Sequence, residues 1–409
     1  MSRRDLDSDV ARHRLSVLLD TAVAALPEPP PTPTYVVDLD AFDANATDLV
    51  RRAAGKPIRL ASKSLRVPAL ISRALARPGF AGVLSYSLRE ALWLQQKEVS
   101  DDIVMGYPTV DATALAALVS DEQAARSITL MVDDVAQLEL VDRVREDSRV
   151  PVRVALDVDA GLRLGRAHVG PKRSPLHDAA QVAALAHAVI ARPGFTLVGV
   201  MTYEGQVAGV PDDVPGERVK SLVVRRMKDA SVAQVRNHRR TVAEALDGIV
   251  DLEFWNAGGS GSVESTVADP VVTEVAAGSG LLVPHLFDHY RGFEPQPAAF
   301  FGLRVARLPA RDTVTVSGGG LVASGAAGTD RAPLPWAPPG LHVTSVEGAG
   351  EVQTPLVGPG AGGLSIGDLV WFRHAKAGEV AEHVSTAHLL TGPAIVDQVP
   401  TYRGNGHTW

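Results

Sequence analysis

The chain reads Ser127-Ile-Thr-Leu-Met-Val132, then a segment of helical periodicity over residues 135–144, then Val152-Arg-Val-Ala-Leu-Asp157. Both apolar runs are short and rich in aliphatic side chains, which is typical of strands buried on both faces. A helix between two such strands indicates a right-handed β-α-β unit, because parallel strands need a crossover connection. This stretch therefore predicts a parallel sheet covered by helices.

The same alternation extends in both directions, from a strand at 34–39 to a strand at 273–276. Roughly eight such units over about 250 residues suit a closed (β/α)8 barrel of the TIM type. An open doubly wound sheet is the alternative, because strand boundaries are the least certain part of such an assignment. We expect an α/β fold class with the barrel over residues 34–291.

The segments on either side of this barrel have a different character. Residues 5–26 have helical periodicity, and Pro27-Glu-Pro-Pro-Pro-Thr-Pro33 follows as a stiff linker, because proline fixes φ and lacks an N–H donor. We assign residues 1–33 to this helix and linker. From residue 292 to 409, strand-like runs alternate with Gly- and Pro-rich turns, which predicts an all-β C-terminal domain.

The composition narrows the possible functions. Hydrophobic residues make up 45% and charged residues 21% of the 409 residues, with a net charge of -7 and no block of basic residues. We therefore expect no nucleic-acid partner and no membrane surface partner. The chain has no cysteine, which excludes disulfides, thiolate nucleophiles and cysteine-ligated metals. Without a secretory signal or an apolar span, the expected location is cytoplasmic.

Lys63 follows the predicted strand at 58–61, and the reacting groups of parallel barrels lie at the C-terminal ends of strands. Among apolar walls, desolvation would favour the neutral amine, which is the form that makes a Schiff base. A solvated loop lysine that pairs with a helix end explains the position equally well. Position alone leaves these two interpretations level.

Two loops rich in glycine and serine follow the last two predicted strands. They are Gly258-Gly-Ser-Gly-Ser262 and Ala277-Gly-Ser-Gly280. Backbone N–H groups and serine hydroxyls donate to phosphate oxygens, and glycine lets the backbone approach closely. One such loop could be an ordinary turn, but two at this position of a barrel predict a phosphate site.

Other polar residues follow further strands. Tyr203 could approach a bound ring or substrate, or could pack at the barrel rim, and Glu204 is ambiguous. A charged group at another strand end could bind a cofactor hydroxyl or a substrate carboxylate, or form an ion-pair network; it consists of Asp157, Asp159, Arg163 and Arg166. For Arg166 we favour the structural role.

A last polar run follows the predicted strand at 368–372 and contains His374, Lys376, Glu379, His383 and His388. Histidine and glutamate side chains near one another suggest a metal site. The spacing is loose, however, and a lysine in the middle disfavours a cation. We expect a polar rim here, with His374 as a weak candidate for a metal ligand.

Taken together, these features resemble the fold type III pyridoxal-phosphate enzymes, which include the alanine racemase barrel. The likeness is closer to the D-threonine aldolase and D-serine dehydratase branch, and closer still to bacterial proteins labelled amino-acid deaminase/aldolase. It covers most of the chain from about residue 30. The segments that carry it are Ala61-Ser-Lys-Ser-Leu-Arg66, His168-Val-Gly-Pro-Lys-Arg-Ser-Pro175, Ala277-Gly-Ser-Gly280 with Phe287-Asp-His-Tyr290, Phe372-Arg-His-Ala-Lys-Ala-Gly-Glu379 and Val399-Pro-Thr-Tyr-Arg-Gly404.

The resemblance implies a cofactor and a set of roles. Lys63 would hold pyridoxal 5'-phosphate as a Schiff base, and Tyr203 would lie near the pyridine ring. The phosphate would be bound by the two loops, through Gly259, Ser260 and Gly261 and through Gly278, Ser279 and Gly280.

One position departs from the family pattern. In the aldolase and the dehydratase a metal is bound by a histidine and by the Cys or Asp two residues later, whereas here the pair is His374 and Lys376. A charged lysine cannot be a metal ligand, but its ammonium group could take the place of the metal. A divalent metal is therefore a doubtful cofactor.

The resemblance implies a pyridoxal-phosphate lyase that acts on small D-configured β-hydroxy amino acids, as an aldolase or as a dehydratase/deaminase. The predicted catalytic residues are Lys63, His374 and Tyr203, with His374 or the released Lys63 as general base. An amino-acid racemase on the same fold and a non-catalytic cofactor carrier are the alternatives. A homodimer is expected, because relatives complete the site with the β domain of a partner subunit.

Overall fold

A computed structural model of the protein describes residues 8–145, 150–293 and 296–409. The chain forms two compact units. The barrel unit contains residues 49–62 and 71–278 together with Trp409, and the sheet unit contains the residues up to Asp48, residues 63–70 and residues 279–408.

The described part of the chain alternates between strands and helices up to residue 282. The strands are β1 (Thr34–Asp38), β2 (Ile58–Ala61), β3 (Phe80–Ser85), β4 (Ile103–Met105), β5 (Ile128–Val132), β6 (Val152–Asp157), β7 (Leu162–Leu164), β8 (Ala167–Val169), β9 (Phe195–Thr202), β10 (Phe254–Ala257), β11 (Glu274–Ala277), β12 (Ala299–Ala310), β13 (Thr313–Ser317), β14 (Leu334–Ala337), β15 (His342–Val343), β16 (Gln353–Val357), β17 (Leu369–Arg373), β18 (Thr386–Thr391) and β19 (Ala394–Pro400). The helices are Asp9–Ala24, Leu39–Arg52, Pro68–Leu75, Leu88–Gln96, Ala112–Ser120, Glu122–Ser127, Val135–Arg145, Ala179–Ile190, Gly205–Ala208, Arg218–Leu246, Val263–Val267 and Ser279–Leu282.

The barrel unit is a closed ring of parallel strands in the order β10-β11-β2-β3-β4-β5-β6-β9. Its strands are buried, as at Ile58, Val104 and Leu130, because helices cover the outside of the ring and side chains fill the inside. Each fully buried aliphatic side chain of this kind stabilises the fold by about 1.5–3 kcal/mol. The predicted TIM-type barrel is confirmed, and the open sheet is not.

Side-chain caps define where several barrel helices begin. Ser87, Asp111 and Asp121 each accept a hydrogen bond from a backbone N–H of the first turn that follows. Asp178 forms a full capping box with Gln181. These bonds satisfy N–H groups that have no partner inside the helix, so the helices start directly after the strand-end loops.

The sheet unit contains nine strands in a mixed sheet, with the path β15-β16-β13-β12-β1-β18-β19 and with β17 pairing both β12 and β14. β1 runs antiparallel to β12 and parallel to β18. The assignment of residues 34–38 to the barrel was therefore wrong, and the first barrel strand is β2. A short strand buried on both faces has the same sequence pattern in either sheet, so the pattern could not distinguish them.

The N-terminal helix Asp9–Ala24 belongs to the core of the sheet unit. Leu15 and Leu19 pack with Trp371 and Phe300 of the sheet. The indole N–H of Trp371 donates to Asp20 Oδ1 at 2.8 Å, which satisfies the buried donor. No helix among the described residues is both long and apolar enough to span a membrane.

Candidate active site

Lys63 lies in the short 3-10 turn Ser62–Ser64, directly after β2. Ser62 is fully buried, and its hydroxyl donates to the carbonyl of Leu84 at 3.2 Å, which attaches the turn to the neighbouring strand β3. The Lys63 side chain is exposed. Lys63 thus has the expected position at a strand end.

Within the sheet unit, the loop that follows β17 packs against the backbone of Lys63. Gly378 has φ +81, and a Cβ there would lie 2.3 Å from the carbonyl oxygen of Lys63 and 2.7 Å from the carbonyl carbon of Ser64. Only glycine fits both the backbone conformation and the space. The Ser64 hydroxyl also lies 3.1 Å from that of Ser279, so the lysine turn is held from two sides.

The first glycine loop follows β10 and requires glycine for two reasons. Gly258 has φ +85, and a Cβ there would lie 2.9 Å from Thr266 Oγ1. At Gly259 a Cβ would lie 2.9 Å from the Cβ of Ala208 and 3.7 Å from the ring of Tyr203. Glycine at both positions lets the loop backbone pack closely beside Tyr203.

Glu204 holds this loop in place through hydrogen bonds. Its carboxylate is buried and accepts hydrogen bonds from Gly258 N at 3.1 Å and Thr266 Oγ1 at 2.6 Å. It also pairs with the buried Arg239 at 2.6 Å, and Arg239 reaches Asp269 at 3.3 Å. The ambiguity left by the sequence is thereby resolved: Glu204 is part of a buried ion pair that supports the glycine loop.

Tyr203 lies beside the glycine loop, and the guanidinium group of Arg173 lies over its ring. The guanidinium carbon of Arg173 is 6.0 Å from the centre of the Tyr203 ring and 5.5 Å from that of Tyr107. Burial raises the pKa of Tyr203, against the attraction of Arg173, so the phenol keeps its proton at neutral pH. A neutral aromatic ring next to a glycine loop suits contact with a planar ligand.

The second loop is joined to the first by Ser260. This serine is buried, and its Oγ accepts a hydrogen bond from Gly278 N at 3.3 Å while its carbonyl accepts one from Arg52 at 2.8 Å. Gly261 is half-buried between Ser260 and Ser262. Ser279 and Gly280 begin the helix Ser279–Leu282 directly after Gly278. The six predicted phosphate-binding residues therefore follow the ends of two adjacent strands.

Asp159 is held in a network of internal hydrogen bonds. Its carboxylate accepts hydrogen bonds from Arg163 at 2.8 Å and from Gly161 N at 2.9 Å, and lies 3.1 Å from His168 Nε2. Burial alone would raise the pKa of Asp159, but these partners hold it below its usual value. Arg166 is exposed in the turn between β7 and β8.

Asp157 has a different environment, which the sequence did not reveal. Val132 of β5 pairs with Leu156 of β6, so Asp133 and Asp157 stand side by side one step beyond this pair. Burial raises the pKa of Asp157 to about 7, and the charge of Asp133 adds to the effect. Asp133, Tyr107 and Arg173 were not identified as site residues from the sequence, because strand register and the folded loop after β8 bring them together.

The polar run after β17 is saturated with internal bonds. His374 is buried, with Nδ1 2.6 Å from the carbonyl of Lys376 and Nε2 3.0 Å from the carbonyl of Leu321. Lys376 Nζ donates to Ser324 Oγ at 3.0 Å, and that hydroxyl donates to Glu379 at 2.6 Å. Burial lowers the pKa of His374 despite both carbonyl contacts. A base role for His374 would require one ring nitrogen to be released.

The two remaining histidines of this run lie apart in the chain. His383 is exposed after the 3-10 turn Glu379–Glu382, and His388 is buried in β18 with Nδ1 3.1 Å from the carbonyl of Tyr35. Among the described residues, no group of three or more His, Cys, Asp or Glu side chains is arranged to hold a metal ion.

Comparison with known proteins gives a consistent picture. The family model for the alanine racemase N-terminal domain matches residues 37–283. A D-threonine aldolase from Arthrobacter sp. is 27% identical over 255 residues, which is 61% of this chain and 60% of that protein. The chain thus matches less than two thirds of the length of this curated relative.

Solved structures share the whole architecture. The D-threonine aldolase from Filomicrobium marinum superposes with a TM-score of 0.75 at 21% identity, over 91% of this chain and 95% of that one. The D-threo-3-hydroxyaspartate dehydratase from Delftia sp. HT23 gives 0.72 at 18% identity, over 93% and 98%. At this identity the likeness establishes the fold, a barrel followed by a sheet domain. The family match over more than half of the chain shows that this protein belongs to the alanine racemase N-terminal domain family.

Proposed function

We propose that the protein binds pyridoxal 5'-phosphate and uses it to cleave small D-configured β-hydroxy amino acids. The observation that carries the proposal is strand order: Lys63 follows β2, and the two glycine loops follow β10 and β11, so the three segments continue from three neighbouring strands of one ring. A lysine at one strand end could bind the aldehyde of this cofactor, and the two glycine loops at the adjacent strand ends could bind its phosphate.

The residues present fit the cofactor. Gly259 packs closely against Ala208, where a Cβ would lie 2.9 Å from the Ala208 Cβ, and the Tyr203 ring lies 3.7 Å from the same point, so the glycine loop and the ring are adjacent. We infer that Gly259, Ser260, Gly261, Gly278, Ser279 and Gly280 hold the phosphate, that Tyr203 contacts the ring, and that Lys63 Nζ holds the aldehyde carbon. When bound, pyridoxal phosphate supplies an electron sink for the pair of electrons left on Cα.

The protein's own residues then have separate tasks. Glu204 and Arg239 keep the glycine loop rigid, because each partner is buried and hydrogen-bonded. The amine of Lys63 would be released when the substrate amine takes its place. We infer that it then returns a proton to Cα. His374 is the weaker candidate for this base role, since both of its ring nitrogens face carbonyl oxygens.

Aldol cleavage is the first candidate reaction. Both the 27%-identical relative and the structural neighbour with the TM-score of 0.75 are D-threonine aldolases. Dehydration is the second candidate, because another neighbour with the same two domains acts as a D-threo-3-hydroxyaspartate dehydratase. The two reactions differ in which Cα bond breaks, and the fold accommodates either.

Product analysis distinguishes the candidates. The full-length protein, supplied with pyridoxal phosphate, is incubated separately with D-threonine, D-serine and D-alanine. We expect glycine and acetaldehyde from D-threonine, whereas a keto acid and ammonia would indicate dehydration and L-alanine would indicate a racemase. Lys63→Ala should form no product. The matched control is Lys97→Ala, which removes a different exposed lysine and should leave product formation unchanged. No product from any substrate would contradict the lyase proposal and favour the cofactor carrier.

Three further expectations belong to this proposal. Lys376, bonded to Ser324, is proposed to supply the positive charge that a metal supplies in the resembling aldolase and dehydratase. Metal analysis of the purified protein tests it, because a stoichiometric divalent ion lost on His374→Ala would contradict it. The homodimer and the cytoplasmic location remain predictions.

A further inference from the structure

Asp157 faces the inside of the barrel at its C-terminal end. Thr202 Oγ1 of β9 accepts hydrogen bonds from Arg239 of the helix Arg218–Leu246 and from the indole of Trp255, so Thr202 faces the helix layer. Side chains alternate along a strand, so Met201 points into the barrel. Asp157 is in register with Met201, and side chains in register on neighbouring strands share a face.

The carboxyl group of Asp157 has no hydrogen-bond or ion-pair partner within residues 8–145, 150–293 and 296–409. Asp133, directly after the neighbouring strand β5, accepts a hydrogen bond from Gln137 Nε2 at 2.7 Å. The negative charge of the pair therefore rests more favourably on Asp133, and the proton on Asp157. Such a half-buried acid without a partner is a candidate for chemistry rather than for stability.

The charged and titratable groups around Asp157 are few. They are Asp133 from the end of β5, Asp159 from its own segment and Arg173 from the loop after β8. Arg173 also lies over Tyr203 and Tyr107. Asp157 therefore belongs to the same cluster as Tyr203, which borders the glycine loop.

We propose that Asp157 is a catalytic residue that exchanges a proton with the β-oxygen of the substrate. This inference rests on the proposed function and names a residue that the family resemblance did not assign. Asp133 and Arg173 are positioning residues, since they act by setting the charge of Asp157.

The proton transfer balances in both candidate reactions. In aldol cleavage the Asp157 carboxylate takes the proton of the β-hydroxyl, the C=O bond of the aldehyde forms, the Cα–Cβ bond breaks, and its electron pair stays on Cα until Cα is protonated. In dehydration the Asp157 carboxylic acid donates its proton to the departing hydroxyl, which leaves as water; the Cα–H bond breaks, its proton passes to the Lys63 amine, and its electron pair forms the new Cα=Cβ bond. An acid whose pKa is near 7 can serve in either direction at neutral pH.

The test compares Asp157→Asn with Asp133→Asn in the cofactor-loaded protein. Asp157→Asn keeps the shape but cannot carry a proton, so kcat for D-threonine should fall by about 100-fold or more, with the visible absorbance of the lysine-bound cofactor retained. Asp133→Asn should remain active. The acidic limb of its pH–kcat profile should move to lower pH, because removal of the neighbouring charge lowers the pKa of Asp157.

A second readout needs no turnover. In the full chain labelled with 13C at aspartate carboxyls, one resonance should titrate near pH 7, disappear in Asp157→Asn and move to lower pH in Asp133→Asn. An Asp157→Asn variant that cleaves D-threonine within about threefold of the wild-type rate overturns this inference alone. A wild-type protein that binds the cofactor at Lys63 and cleaves neither D-threonine nor D-serine overturns this inference and the lyase proposal together.

Discussion

Two neighbouring parts of the barrel's C-terminal end treat their buried carboxylates in opposite ways. After β9, Glu204 is bonded to Arg239, to Thr266 and to the backbone of Gly258. At the end of the adjacent strand β6, the side-chain carboxyl of Asp157 accepts no hydrogen bond from the described residues, and the carboxylate of Asp133 lies beside it.

The difference distinguishes a carboxylate that stabilises the backbone around it from a carboxyl group that is available for a reaction. A buried charge with all of its partners rigidifies the backbone around it, and such rigidity suits a loop that binds a phosphate. A carboxyl without partners destabilises the fold when it is ionised, so its presence is better explained by a reaction. Sequence position alone would not reveal this contrast, because both residues are acids just after or at the end of a barrel strand.

The largest expected effect is at the supported carboxylate. Glu204→Gln leaves Arg239 buried with a weakened partner, so the free energy of unfolding should fall by about 3 kcal/mol, measured by urea denaturation. Glu264→Gln is the control, because its pair with Arg52 is half exposed and should matter less. An equal fall in the free energy of unfolding in the two variants would contradict the special role given to the buried Glu204–Arg239 pair.

A smaller effect is expected from the glycine loop itself. Gly258→Ala places a Cβ 2.9 Å from Thr266 in a backbone with φ +85, whereas Gly248→Ala has φ +72 and open space around it. Both substitutions carry the left-handed strain of about 1 kcal/mol, and Gly258→Ala adds about 1–2 kcal/mol for the clash. Thermal unfolding measures both. If Gly248→Ala were as destabilising as Gly258→Ala, the loop would not be tightly packed.

The third effect concerns stability at the Asp157 carboxyl, and it depends on pH with a specific sign. The folded state binds the Asp157 proton up to about pH 7, whereas an unfolded aspartate loses it near its ordinary value of 3.8. The wild-type protein should therefore lose stability as pH rises relative to Asp157→Asn, by about 2–3 kcal/mol between pH 5 and pH 8. Urea midpoints of both proteins at pH 5 and pH 8 measure this. A gap that does not change with pH would show that Asp157 is ionised in the folded protein.

Much of the fold followed from the sequence, for identifiable reasons. The apolar run at Val152–Asp157 and the helix at Val135–Arg145 begin and end within a residue of their predicted bounds. β1 was misassigned, because burial on both faces does not tell which sheet a strand joins. The hairpin β7–β8 was missed, because its strands are short and largely exposed.

The site was predictable where a motif marks it. Lys63 and the glycine loops could be singled out from the sequence, because a lysine and paired glycines after strands have a physical reason to be there, and their roles stay predictions. Asp133 and Arg173 were not found, since strand register and a folded loop bring them to Asp157. The sequence left a solvated and a desolvated Lys63 equally open, because side-chain exposure depends on the loops around a strand end.

The most direct test of the central claim is the absorbance of the protein incubated with pyridoxal phosphate. We predict a visible band that borohydride removes, with the reduced cofactor recovered by peptide mass spectrometry on Lys63. The band should be absent in Lys63→Ala and present in Lys97→Ala. A wild-type protein that stays colourless, or a label found on another lysine, would contradict the account.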